Sequence, residues 1–329
     1  MSVAFPLPVA SPFPFWKGYW VTLRPYLFFV SGATGLLGLA LAGPIAGGTF
    51  LVASAAFFLS YGLGQALTDV FQVDTDSLSS PYRPLVLGQI RRGAVFGVSL
   101  GGLALCATAL TLLNPWTLPL SAGAVLGLVL YATLKRRFWG GPPWNAGIVA
   151  LLPAIGVLCG VASPASALTH PLLLPATASV FFSYAVFVLL GYFKDIEADR
   201  RTGYETLPVR FGRCISVRVS ALLLCAAAVG SWIVVRNTLV TELPASPRAW
   251  LAATVWFLGI CLMTAAHVRM LRVSRDDEAY APILLAVRGY VALHLGEASL
   301  LDPRLVWLVI PVIALFEYAL ATRPFRAQI

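Results

Sequence analysis

The sequence predicts an all-α, polytopic membrane protein of about nine transmembrane helices, in a single domain over residues 1–329. Hydrophobic residues make up 59% of the chain and charged ones only 11%, against roughly 25% charged in a soluble domain. Apolar runs recur along the whole length, each long enough to cross a hydrocarbon core about 30 Å thick. Lysine and arginine are concentrated in alternate connections. The 23 prolines and 28 glycines agree with this class, because both residues are commoner in transmembrane helices than in soluble ones.

The spans are expected at 27–43, 48–66, 93–113, 119–134, 146–163, 172–193, 217–235, 250–267 and 305–321. The stretch before the first carries Lys17 and Arg24. The second connection carries Arg83, Arg91 and Arg92, and the fourth Lys135, Arg136 and Arg137. The sixth holds Lys194, Arg200, Arg201, Arg210, Arg213 and Arg218, and the eighth Arg269, Arg272 and Arg275. The first, third and fifth have no Lys or Arg, and the seventh only Arg236 and Arg248. The positive-inside rule places the N-terminus and the basic connections in the cytoplasm, and an odd number of spans puts the C-terminus outside. The segment 281–298 carries Arg288, His294 and Glu297 among apolar residues. It is expected to lie in the interface as an amphipathic helix; as a further span it would return the C-terminus to the cytoplasm. The first twenty residues lack a basic start and a clean apolar core, so no cleaved signal peptide is expected. The five cysteines follow no metal or redox spacing, and the three distant histidines are expected in the core or interface. The net charge of +9 follows topology, so the expected surroundings are a lipid bilayer and not nucleic acid.

Two short windows hold seven of the 14 acidic residues: Asp69, Asp74 and Asp76, then Asp195, Glu197, Asp199 and Glu205. Both lie at a helix end on the basic side. Clustered carboxylates near a membrane are costly unless paired or bound to a cation. Gln65, Asp69, Gln72 and Asp76 step by four, three and four, one helical stripe that Asp74 leaves. Asp195 and Asp199 are four apart, which stacks them on one helical face. Carboxylates in this arrangement suit Mg²⁺, which takes one or two of them and fills its shell with water and phosphate oxygens. Lys194, Arg200, Arg201 and Arg210 surround the second window, Arg83 follows the first, and Lys135 and Arg136 end a third helix on the same side. Acids for a metal beside bases for phosphate oxygens point to a metal–phosphate substrate.

The stretches "KDIEADRRTGYETLPVRFG" and "TDSLSSPYRPLVLG" resemble the second motif and the tail of the first motif of the UbiA superfamily of intramembrane prenyltransferases. "LKRRFWGGPPWN" looks like that family's helix-4 segment, with Lys135, Arg136 and Asn145 in matching places, and "RPYLFF" like the start of its first helix. The resemblance runs end to end. It implies a helical barrel around a central cavity, with two Mg²⁺ held by Asp69, Asp76, Asp195 and Asp199, Asp74 being a further candidate ligand. It implies that Gln72, Arg83, Lys135, Arg136, Lys194 and Arg210 bind the diphosphate of an isoprenyl substrate, whose ionised prenyl group passes to an acceptor the sequence does not name. The first motif departs from the family: Thr68 and Gln72 replace an asparagine and an aspartate, and Asp69 is the candidate stand-in.

The expected function is therefore Mg²⁺-dependent prenyl transfer at an integral cytoplasmic or inner membrane, with the active-site loops facing the cytoplasm. A terpene cyclase of the same superfamily is the alternative, supported by the altered motif and the aromatic content. A transporter is the rival from another class, and the acid- and base-free apolar stretches of spans 1, 3, 4, 5 and 7 weigh against it.

Overall fold

A computed structural model describes residues 14–161, 163–243, 246–325 and 328. Residues 1–13, and with them most of the stretch weighed as a signal peptide, lie outside this description. Every regular element among the described residues is a helix, as lipid requires of a segment that must satisfy its own backbone. α1 (Phe15–Leu23) and α2 (Phe28–Leu41) are followed by α3 (Gly47–Asp69), α4 (Val73–Ser79), α5 (Arg92–Leu113) and α6 (Thr117–Leu134). Then come α7 (Gly141–Val149), α8 (Leu152–Gly160), α9 (Pro164–Leu168), α10 (Leu173–Gly191) and α11 (Ile196–Arg201). The last four are α12 (Leu207–Glu242), α13 (Pro247–Met270), α14 (Tyr280–Leu301) and α15 (Val306–Ala321).

Nine helical segments among the described residues are long and apolar enough to cross a membrane, with α7 and α8 counted together as Gly141–Gly160. The count agrees with expectation but the membership does not. The run expected at 27–43 forms only the 14 residues of α2; it reaches a membrane's length together with α1, bent from it by 40° at Arg24.

The segment 281–298 is not interfacial. It lies within α14, whose apolar window is 83% buried, the highest share of any span. Each polar residue that suggested an interface has a side-chain partner within the protein. Arg288 donates to both oxygens of Glu317 on α15 at 2.6 and 2.7 Å. His294 and Glu297 pair at 2.7 Å, and Ser183 and Ser179 of α10 join them at 2.9 and 2.7 Å. Small residues let α13 and α14 approach closely. A Cβ on Gly296 would stand 2.4 Å from the Trp256 amide nitrogen, and one on Gly259 equally close to that of Leu293. Overpacking costs about 1–3 kcal/mol or more, so Gly296→Val is expected to lower the thermal midpoint in detergent by several degrees. An unchanged midpoint would contradict this packing.

Adding the bent pair as one crossing gives ten, an even number, and the placement of Phe325 and Gln328 agrees. The Tyr26 hydroxyl donates to the Gln328 carbonyl at 2.8 Å, and Gln328 Nε2 donates to the Val21 carbonyl at 2.6 Å. Phe325 lies 4.6 Å from the ring of Tyr82. Phe325 and Gln328 therefore lie at the end of the bundle that carries Arg24 and the connection after α4, not at the opposite end where an odd number of spans would put them.

Candidate active site

A cavity opens at that end and runs inward between α2, α3, α5, α6, α8 and α10. Its mouth is lined by Asp69, Asp76 and Asp195 together with Arg24, Arg83, Lys135 and Lys194. Its deeper wall is apolar, formed by Ala56, Phe57, Leu103, Leu110, Leu152 and Ile155. Ala56 and Asp69 stand 13 residues apart on α3, about 20 Å along a helix.

The stripe expected from residue 65 to 76 is split. α3 ends at Asp69, Gln72 has non-helical torsions (φ −113°, ψ 16°), and α4 starts afresh at Val73. Gln65, Asp69, Gln72 and Asp76 nevertheless all line the cavity. Asp69 accepts from Arg24 at 2.6 Å and from Gln65 Nε2 at 2.8 Å. Arg83, delivered by the Pro81 and Pro84 turn, forms an ion pair with Asp76 and stands 3.7 Å from Asp69. Its Nε is buried and makes no hydrogen bond to the described residues. Burial raises the Asp76 carboxyl pKa above its ordinary value against the pull of Arg83, and the neighbouring Asp69 and Asp195 add to the rise.

The second window does not present one face. Asp195 caps α11 with non-helical torsions and lines the cavity, where Lys194 holds it at 2.8 Å. Burial alone would raise its pKa; Lys194, Lys135 and Arg83 outweigh it and leave the pKa lowered. Asp199 turns the other way. It is fully buried, is not part of the cavity lining, and accepts from the hydroxyls of Thr75 on α4 and Thr206 at 3.2 Å each. Burial pushes its carboxyl up to about 6, opposed by Lys135.

Lys135 is 5% exposed and donates to Gln72 Oε1 at 2.8 Å. Its ammonium lies 5.1 Å from the Tyr192 ring centroid and 5.4 Å from that of Tyr204. Burial disfavours its charge, but Asp199 and Asp195 outweigh burial and raise its pKa. Arg136 points elsewhere: it pairs with Asp74 and reaches the Tyr204 hydroxyl at 3.2 Å, both it and Asp74 being more than two-fifths exposed. Arg210 is exposed, and it, Asp74 and Arg136 are all outside the cavity lining. Sequence reasoning missed Arg24. Its signal was a lone arginine before proline at the head of an apolar run; its left-handed torsions (φ 50°, ψ 71°) point it at Asp69.

A sequence model described as the UbiA prenyltransferase family matches residues 27–286. The chain belongs to this family. A UbiA-family relative, the digeranylgeranylglyceryl phosphate synthase of Natronomonas pharaonis, is 30% identical over 218 residues, 65% of this chain and 76% of its own. The bacteriochlorophyll synthase 33 kDa chain of Rhodobacter capsulatus is 25% identical over 57% of this chain and 59% of its own. In fold, the chain is similar to a UbiA homologue from Aeropyrum pernix K1, with a TM-score of 0.66 at 20% identity over 82% of this chain and 96% of that one. It is also similar to a UbiA homologue from Archaeoglobus fulgidus solved with DMAPP and Mg²⁺, with a TM-score of 0.60 at 17% identity over 85% and 99%. Membership of the UbiA prenyltransferase family makes this protein an integral membrane prenyltransferase.

Proposed function

We propose that the diphosphate of the isoprenyl substrate sits at the cavity mouth, with its prenyl chain along α3 and the acceptor meeting the allylic carbon between the two. The observation that carries this is one cavity with four cations and three carboxylates at its mouth and an apolar wall behind. Arg24, Arg83, Lys135 and Lys194 bind the diphosphate oxygens, and the Arg83 Nε, which makes no hydrogen bond to the described residues, gains an acceptor. The donor set fits Mg²⁺: hard carboxylate oxygens, with phosphate and water to complete the shell. Asp76 and Asp195, with Asp69 beside them, would hold it, and bound there it supplies Lewis-acid neutralisation of the leaving diphosphate. The allylic C–O bond breaks, and its electron pair leaves with pyrophosphate. The apolar wall excludes water from the cation, the acceptor forms the new bond, and a proton is lost from the acceptor.

Product analysis by mass spectrometry tests this. Purified protein in detergent with Mg²⁺, C10, C15 or C20 diphosphate and candidate acceptors is expected to yield a prenylated acceptor, and EDTA to abolish it. A cyclic hydrocarbon formed without any acceptor would mean cyclisation instead.

The mouth faces the cytoplasm in this reading, because the basic connections cluster there. In a variant lacking Cys214, a cysteine at Ser77 is expected to react with an impermeant thiol reagent from the cytoplasmic side only, and one at Ser166 from the other side only. Labelling of both from one side would overturn the orientation.

A further inference from the structure

Resting on the diphosphate reading above, we propose that Asp276, on the connection between α13 and α14, is a positioning residue for the reaction: it caps α11 in place of Asp195 and so keeps the Asp195 carboxylate turned into the cavity. Asp195 holds the N-cap position of α11, and its carbonyl accepts the first helical bond, from the Asp199 amide at 2.7 Å. An aspartate in that position ordinarily bonds the amide of the second or third helical residue with its own side chain, from an extended backbone. Asp195 does neither. Its torsions are φ −117° and ψ 6°, and its side chain makes no cap bond. Both of its oxygens accept from Lys194 instead, at 2.9 and 2.8 Å. The amide of the second helical residue, Glu197, donates to Asp276 Oδ2 at 2.8 Å, across 79 residues of chain.

Asp276 also holds the other side of Asp195. Its Oδ1 pairs with Arg213 of α12, and the Arg213 guanidinium lies 5.8 Å from the ring centroid of Phe193, a fully buried side chain. One carboxylate thus fixes the chain at residue 197 directly and at residue 193 through Arg213, with Lys194 and Asp195 between. The turn that carries it is itself tied down, because Glu278 Oε2 accepts from the Ser274 and Arg275 amides at 2.8 and 3.1 Å. Asp276 is outside the cavity lining, so it acts through Asp195 and not on the substrate. Without it the Glu197 amide loses its acceptor. Asp195 is then the nearest carboxylate able to replace it, by turning back onto its own helix and out of the cavity.

The test measures metal binding and needs no turnover. The full chain in detergent is titrated with Mn²⁺ in the presence of inorganic pyrophosphate, and bound ion is read by electron paramagnetic resonance. Asp276→Ala is expected to weaken Mn²⁺ binding by about 10- to 100-fold, the range for losing a group that holds a metal ligand in place. Asp276→Asn gives up the charge facing Arg213 but keeps an oxygen for the Glu197 amide. Asparagine caps about as well as aspartate, so this variant is expected to recover most of the affinity. Pyrophosphate release from an allylic diphosphate is expected to fall by the same factor in Asp276→Ala, but by less than about twofold when that change is added to Asp195→Ala, since the two act through one carboxylate. Wild-type Mn²⁺ affinity in Asp276→Ala would overturn the proposal, and so would an undiminished loss on the Asp195→Ala background. A folded Asp276→Asn that has lost the affinity would overturn the cap as the cause, whether or not the alanine variant folds. A wild-type chain with no pyrophosphate-dependent Mn²⁺ binding would overturn the reading on which the proposal rests.

Discussion

Asp195→Ala is expected to lower pyrophosphate release from an allylic diphosphate by about 100- to 1000-fold, the range for removing one group that stabilises transition-state charge. Asp195 is the carboxylate that the second acidic window turns into the cavity, so no neighbour in that window replaces it. Its removal leaves Lys194 facing the cavity without its 2.8 Å partner. The diphosphate would still bind, but its leaving-group charge would be poorly met. Asp199→Ala makes the informative contrast. It removes the acceptor shared by Thr75 and Thr206, so its first effect is a lower thermal midpoint as α4 loosens from the α11–α12 connection. Pyrophosphate release assayed beside thermal unfolding separates the two. Asp195→Ala with more than a tenth of wild-type activity would sink the assignment.

Arg83→Ala is expected to be as damaging, through both stability and binding. Arg83 serves Asp76 and Asp69 together, and all three side chains are nearly buried. Removing one partner of a buried ion pair costs about 3–5 kcal/mol because a charge is left uncompensated. The variant should therefore unfold at a lower temperature and show a raised KM for the diphosphate. Arg83→Lys restores a charge but not a planar guanidinium that reaches two carboxylates, so it should recover stability better than KM. Full recovery of both in the lysine variant would reduce Arg83 to a point charge.

Much of the architecture was legible because the apolar runs and the alternation of basic connections are one-dimensional signals. The two acidic windows were legible for the same reason: seven acids in two short stretches stand out in a chain with 14. What failed depended on partners far away in sequence. Arg288, His294 and Glu297 marked 281–298 as interfacial only while Glu317, Ser183 and Ser179 were not known to face them. The side on which Phe325 and Gln328 lie followed from that one helix. Periodicity also misled at both windows, since it assumes an unbroken helix. The break at Gln72 and the cap at Asp195 bring Asp69, Asp76 and Asp195 to one cavity and send Asp199 away. Arg24 escaped because its role comes from a left-handed backbone conformation, which leaves little trace in residue type.

The central claim is that the diphosphate lies at the charged mouth with the prenyl chain running inward along α3. Photoaffinity labelling with an isoprenyl diphosphate analogue, carrying a diazirine at the far end of its chain, tests it most directly. Crosslinks are expected on the apolar wall, at Ala56 and Phe57 of α3, Leu110 of α5, and Leu152 and Ile155 of α8, and excess inorganic pyrophosphate should suppress them. Crosslinks confined to lipid-facing residues such as Leu105 and Leu112, or labelling indifferent to pyrophosphate, would contradict it.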